Sequence, residues 1–126
     1  MEEGVIYCAT LPSNKKYYGQ TINFEKRKKD HNNALKFGVH NKFYNAIRKY
    51  GWNTVQWEIK ERAISNSKRQ LKTILDEKEI YWIAKEETNK FGYNITLGGG
   101  GRLGIPHTEE TKIKIYVMSL ILDEFQ

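Results

Sequence analysis

The sequence predicts an α/β fold of the α+β kind, a small three-stranded antiparallel sheet flanked by helices, and three observations carry that expectation. Two short β-prone aromatic strings lie either side of the turn-forming Pro12-Ser13-Asn14. A third segment alternates apolar and polar residues with a period of two. Helical patterns with recognisable start and stop signals fill the spaces between and after them.

The first string, residues 4–10 (GVIYCAT), is apolar and rich in strand formers, and the second, Lys15 to Gln20, is short and aromatic. Joined by the turn they read as a β-hairpin. Asn23 is placed to cap a helix that runs to about Phe37 and stops at Gly38. A second helix, from His40 or Asn41 to Tyr50, carries Phe43, Ile47 and Tyr50 on one stripe and ends at Gly51. From Thr54 to Lys60, Val55, Trp57 and Ile59 alternate with Gln56, Glu58 and Lys60, which is the pattern of a half-buried strand. Ser65 or Ser67 opens the longest helix, which continues to about Glu87 with Leu71, Leu75, Trp82 and Ile83 available for burial. The run Gly98 to Gly101 is a flexible break, so the domain is expected to cover residues 1–97. Beyond it, Pro106 and Thr108-Glu109-Glu110 read as a helix start leading into Lys112 to Leu122, making 98–126 a Gly-rich linker and a short helical tail.

A length of 126 residues suits one domain with a modest core. The net charge of +6 is concentrated: residues 14–49 hold ten Lys and Arg against Glu25 and Asp30 alone. A field of that sign attracts polyphosphates, although lysine-rich helix faces also serve simply as solvated surface. The one cysteine, Cys8, excludes an intrachain disulfide and any zinc site built on two thiolates. No apolar run is long enough to span a membrane, and Met1-Glu2-Glu3 lacks the basic start of a secretory signal, so a soluble intracellular protein is expected. The glycine run lacks the spacing and the following Lys-Ser/Thr of a P-loop, which argues against ATP or GTP binding.

Polar residues stand where apolar ones belong. On the first helix Arg27 and His31 share the stripe of Phe24 and Leu35, and on the longest helix Glu79 sits between Leu75 and Ile83. A desolvated charge is costly unless paired or bound to a cation. Helix geometry alone is equally well met by a structural ion pair between Arg27 and Glu79.

The wider pattern resembles the GIY-YIG nuclease family. The strings Val5-Ile6-Tyr7 and Tyr17-Tyr18-Gly19 lie ten residues apart, Arg27 follows Gly19 by eight, Ile80-Tyr81-Trp82-Ile83 follows Glu79, and Gly92-Tyr93-Asn94 ends fifteen residues beyond Glu79. The resemblance covers residues 4–97 and is nearest to phage and intron-encoded homing endonucleases. It departs at Val5, where the family has Gly, and at Tyr18, where it has Ile or Val; Gly4 leaves open a one-residue shift of strand register.

The resemblance implies a metal-dependent endonuclease acting on double-stranded DNA. Tyr7, Tyr17, Arg27, His31, Glu79 and Asn94 would form its site. Arg27 would grip the scissile phosphate, Glu79 would hold Mg²⁺ (or Mn²⁺), Tyr7 or His31 would handle the nucleophilic water, and Asn94 would brace the site through its amide. Lys26, Lys28, Lys29, Lys36, His40, Lys42, Arg48 and Lys49 flank these positions and are expected to hold the DNA backbone. One carboxylate and one constellation imply a monomer that cuts one strand at a time, pairing at most transiently on DNA. The tail from His107 resembles the start of a nuclease-associated DNA-binding module. Rival readings are a structure-selective repair or recombination nuclease, a catalytically impaired DNA-binding protein on the same fold, and an RNA-binding module, the last disfavoured because the aromatics fall at periodic core positions.

Overall fold

The computed structural model describes residues 2–96 and Gly98. The tail foreseen at 98–126, with its helix start at Pro106, therefore lies outside the described residues except for Gly98. The elements run β1 (Glu2–Thr10), β2 (Lys16–Thr21), α1 (Phe24–Lys36), α2 (Lys42–Tyr50), β3 (Gln56–Ser65), α3 (Lys68–Glu86) and the single turn α4 (Thr88–Phe91). Each of the three long helices starts at a side chain that accepts a backbone N–H of its first turn. Asn23 accepts from Lys26, Asn41 from Tyr44 and Ser67 from Gln70. Asn41 is thus the cap rather than His40, and Ser67 rather than Ser65, which ends β3. Gly51, at φ +101°, stops α2.

The three strands form one antiparallel sheet in the order β2-β1-β3, with β1 central. The β1–β2 turn is closed by the Asn14 N–H bonding the Leu11 carbonyl at 2.8 Å, with Asn14 in the left-handed region at φ +66°. The two strands pair without interruption from Val5 opposite Thr21 to Thr10 opposite Lys16. Val5 therefore stands in the family's glycine position with no register shift in β1. Gly4 has its own reason: a Cβ there would come within 2.6 Å of a Leu75 methyl on α3.

The shift is in β3. Tyr7 pairs with Ile59 and Ile6 with Glu61, so Lys60 is an extra residue. The strand foreseen as Thr54 to Lys60 actually starts at Gln56, after a 3₁₀ turn at Trp52–Thr54, and continues to Ser65. A bulge inverts the alternation, which is why a strict period of two ends at Lys60. Directly paired residues share a face. Trp57 and Ile59 accordingly join Tyr7, Ala9 and Tyr17 on the side of α1 and α2, whereas Glu61 and Ala63 join Ile6, Cys8 and Tyr18 on the side of α3.

Two apolar clusters follow from that division. Ala9, Leu11, Phe43, Tyr44, Ala46, Ile47, Val55 and Tyr93 fill the first, and Ile6, Cys8, Tyr18, Ala63, Leu71, Leu75 and Ile83 the second. On the α3 side, Glu61 accepts from Trp82 Nε1 at 2.9 Å and pairs with Lys78, tying β3 to the helix. Trp82 stacks on Tyr18 with ring centres 5.5 Å apart. No helix among the described residues is long and apolar enough to cross a membrane.

Candidate active site

The most buried residue of α1 is polar. His31 is 1% exposed and lies in an aromatic box: stacked on Trp57 at 5.7 Å, and edge-on to Tyr17, Phe43 and Tyr44. Both ring nitrogens are bonded, Nε2 to the Tyr7 hydroxyl at 2.8 Å and Nδ1 to the Tyr44 hydroxyl at 2.7 Å. Arg27, one turn earlier on α1 and half-buried, donates from Nε to the same Tyr7 hydroxyl at 3.4 Å. Arg27, His31 and Tyr7 are thus joined directly. Tyr17 adds its ring, 6.3 Å from Tyr7 and stacked on Phe43 at 4.1 Å.

Gly19 makes room for this arrangement. It pairs with Tyr7 across the strands, and a Cβ on it would lie 2.3 Å from the Tyr7 hydroxyl oxygen. The clash extends from the hydroxyl along the ring edge, to Cζ at 2.4 Å and Cε1 at 2.8 Å, so the whole buried Tyr7 ring would have to move. The Tyr7 ring lies over a missing side chain.

Glu79 is half-buried on α3, and its negative charge acts on both Tyr7 and Tyr17. Gly98 packs against it: a Cβ there would lie 2.4 Å from Glu79 Oε1. The first residue of the glycine run, read from sequence as the start of a flexible break, is therefore part of the site's wall. Among the described residues Arg27 bonds the Tyr7 hydroxyl and forms no direct ion pair with Glu79.

Asn94 sits apart from these side chains and holds backbone. Its Oδ1 accepts from the Tyr18 N–H at 2.9 Å and the Thr88 hydroxyl at 2.8 Å, and its Nδ2 donates to the Tyr18 carbonyl at 2.8 Å. The neighbouring Tyr93 N–H bonds the Lys16 carbonyl at 2.9 Å. The outer edge of β2 is so closed by the α4 segment, between the residues that carry Tyr17 and Gly19.

Electrostatics divide the groups. Burial, aided by Tyr17 and Glu79, drives the Tyr7 phenol well above its ordinary pKa, and the opposing pull of Arg27 does not cancel it. In the free protein desolvation thus outweighs the positive charge of Arg27, which by itself would make Tyr7 a better base. Tyr17 is raised for the same first reason. Burial works against charge on Arg27, yet the phenols of Tyr7, Tyr17 and Tyr44 hold its pKa above the usual value. His31 is pushed down from 6.5 to about 3 by burial and then by Arg27, with Asp30 opposing, so the ring is neutral at working pH.

That shift has a stability consequence. Between pH 6.5 and about 3 the unfolded chain binds a proton at His31 that the folded chain does not. The contribution of neutral His31 is complete above pH 6.5 and is lost as pH falls, at about 1.4 kcal/mol per pH unit. Urea titrations at pH 7 and pH 5 are expected to differ by roughly 2 kcal/mol on this account. A His31→Gln protein should lack that component, and an unchanged slope in the variant would show that other groups produce it.

The residues expected to hold DNA are on α1, α2 and the loop between them, in different conditions. Lys29, Lys36 and Lys42 are exposed. Lys26 pairs with Asp30 at 3.1 Å, Lys28 pairs with Glu25 at 2.9 Å and lies over the Phe24 ring, and Lys49 lies over Tyr50. Arg48 reaches back across the α1–α2 connection, donating to the carbonyls of Val39 at 2.6 Å and Leu35 at 3.1 Å and to Asn45 Oδ1 at 3.2 Å. His40 Nδ1 lies 3.0 Å from the same Asn45 oxygen. Two residues of the site escaped the sequence reading. Tyr44 stands beside the apolar stripe of Phe43 and Ile47, and Trp57 falls in the alternation of a half-buried strand, so neither carries a signal of its own in the sequence.

Residues 3–94 match the profile of the GIY-YIG catalytic domain. Among solved structures, a point mutant of the catalytic domain of the intron endonuclease I-TevI is 31% identical with a TM-score of 0.63, covering 75% of this chain and 94% of that one. The catalytic domain of the homing endonuclease I-TevI, in a second structure, gives 31% identity and a TM-score of 0.61 over 74% and 98%. No curated protein sequence matches. With the profile spanning both tyrosine strands, α1 and α3, and with Tyr7, Arg27 and His31 bonded to one another inside it, this chain belongs to the GIY-YIG nuclease family.

Proposed function

We propose that the protein is a homing-type DNA endonuclease that hydrolyses one strand of duplex DNA at a time. The observation that carries this reading is the shared hydroxyl of Tyr7, which meets a guanidinium at 3.4 Å and a neutral imidazole at 2.8 Å, with a carboxylate close enough for its charge to be felt. Phosphodiester hydrolysis needs a fixed positive charge on the phosphate and a route for the proton of the attacking water. Arg27 provides the first: a guanidinium held through Nε by Tyr7 would fork onto phosphate oxygens through its terminal nitrogens. Tyr7 and His31 provide the second. The Tyr7 hydroxyl is fully buried in the free protein, so the water it orients arrives as DNA binding rearranges Arg27.

The residues around Glu79 suit a hard divalent ion. A single carboxylate with a glycine against it matches Mg²⁺, which keeps several waters, and no group of three His, Cys, Asp or Glu that could hold a metal occurs among the described residues, as a zinc centre would need. When bound, Mg²⁺ (or Mn²⁺) would neutralise charge on the phosphate and its leaving oxygen. Lys29, Lys36 and Lys42 would hold the duplex by its backbone, so affinity should fall steeply with salt. Residues 98–126 would add the beginning of a DNA-binding appendage.

The test is a time course on supercoiled plasmid with Mg²⁺ and, in parallel, with EDTA. Nicked circles should form first and linear DNA later, with neither in EDTA. Linear product without a nicked precursor would overturn the one-strand mechanism, and intact plasmid at every Mg²⁺ concentration would overturn the nuclease reading.

A further inference from the structure

Given the nuclease reading above, we propose that Tyr44 is a positioning residue for the reaction, fixing the tautomer of His31 and carrying the Tyr7 proton out of the site. The geometry is a chain of three groups on three elements: Tyr7 on β1, His31 on α1 and Tyr44 on α2, linked at 2.8 and 2.7 Å. A neutral imidazole has one N–H and one lone pair, so its two bonds must run in the same sense. For Tyr7 to give up its proton, Nε2 must be the acceptor. Nδ1 must then carry the hydrogen and donate it to the Tyr44 oxygen.

The step balances without a charged ring. The Tyr7 O–H bond breaks as Nε2–H forms, and Nδ1–H breaks as a new O–H forms on Tyr44, whose original proton passes to water. Tyr7 is left as a phenolate accepting from Nε2–H and from Arg27 Nε, ready to take a proton from the attacking water. His31 has only exchanged tautomers. Exit is assigned to Tyr44 because it ends the chain and is the least buried of the three, 8% exposed against 0% for Tyr7 and 1% for His31.

Without Tyr44 the proton would stop on His31 as an imidazolium, deep in the aromatic box and beside Arg27. The surroundings penalise that state from every side. Arg27 opposes it, Asp30 on the same helix compensates only in part, and the neighbours from β2, β3 and α2 are the neutral rings of Tyr17, Trp57, Phe43 and Tyr44. The Tyr44 phenol itself is raised by burial and by Asp30, against Arg27, so it stays protonated and serves as a carrier.

Tyr44→Phe keeps the ring and removes the hydroxyl. The expected result is a single-turnover cleavage rate lowered about tenfold, the loss of one hydrogen bond from the relay, with DNA affinity in gel shifts unchanged and the rate–pH profile displaced to higher pH. Independently of activity, ¹⁵N NMR of the DNA-free protein should find the His31 proton on Nδ1 in the natural chain and a mixture of tautomers in Tyr44→Phe. A natural protein protonated at Nε2, or a variant that cuts at the full rate at every pH, overturns the proposal. So does a variant whose rate falls equally at all pH values together with its melting temperature. If the natural protein cuts no DNA while its His31 proton is on Nδ1, the nuclease reading fails and the tautomer assignment stands.

Discussion

An Arg27→Ala protein is expected to bind duplex DNA nearly as well as the natural chain and to cut it about 10²–10³-fold more slowly, a barrier increase of roughly 3–4 kcal/mol by analogy with the loss of an oxyanion donor. On the proposed function the affinity would survive because Arg27 is one cation among many and the lysines of α1 and α2 would supply the general attraction. The rate falls for two connected reasons. Arg27 is the only guanidinium bonded to the Tyr7 hydroxyl among the described residues, and its removal leaves that phenol with burial unopposed. Arg27→Lys should rescue little, since an ammonium lacks the fork that bonds Tyr7 and phosphate together. Single-turnover cleavage and gel shifts on one duplex measure both parts. A rate within threefold of the natural protein would remove Arg27 from the chemistry. Glu79→Ala should lose rate to a similar extent but regain part of it as Mg²⁺ is raised, which Arg27→Ala should not.

Asn94→Ala is expected to destabilise the fold by about 3 kcal/mol or more. The amide is 6% exposed and is bonded to the N–H and the C=O of Tyr18 and to the Thr88 hydroxyl. Truncation strands three buried polar groups at about 1–3 kcal/mol each, with water entry offsetting part of the sum. Activity should fall further than stability alone explains, because the freed segment of β2 carries Tyr17 and Gly19. Asn94→Asp keeps the acceptor and loses the donor, so it should lie between. Urea unfolding of the three proteins checks the order, and an alanine variant within 0.5 kcal/mol of the natural chain would show that the edge is held by Tyr93 alone.

The fold was largely legible because its punctuation is strong. Asn23, Asn41 and Ser67 are caps whose side chains make the bonds their types suggest, and Gly51 ends α2 with a backbone few other residues adopt. The second half of β3 was not legible. Past Lys60 the residues turned toward α3 are Glu61, Ala63 and Ser65, and a glutamate bonded to Lys78 and Trp82 carries no hydropathy signal. Of the site, Arg27 and His31 stood out as polar residues on an apolar stripe, and the structure joins both to Tyr7. Tyr44 did not, since a tyrosine on a helix that buries Phe43, Ala46 and Ile47 reads as packing. What separates it from packing is a ring nitrogen 2.7 Å away on another helix, a relation between elements rather than a pattern within one. Arg48 shows a further relation that no pattern within one element reveals: from α2 it donates to the carbonyls of Leu35 at the end of α1 and of Val39 in the loop between the helices.

The extra residue at Lys60 makes β3 a strand of two allegiances. Its first half belongs to the layer that houses the Tyr7 cluster and its second half to the layer that carries Glu79. Excising Lys60 would leave Ile59 opposite Tyr7 and Glu61 opposite Ile6 in an unbroken ladder, so each half would keep its face and β3 would lose the added bend and twist of the bulge. The bulge is thus what lets residues of one parity, Trp57 and Ile59 before it and Glu61 and Ala63 after it, serve opposite layers of the domain.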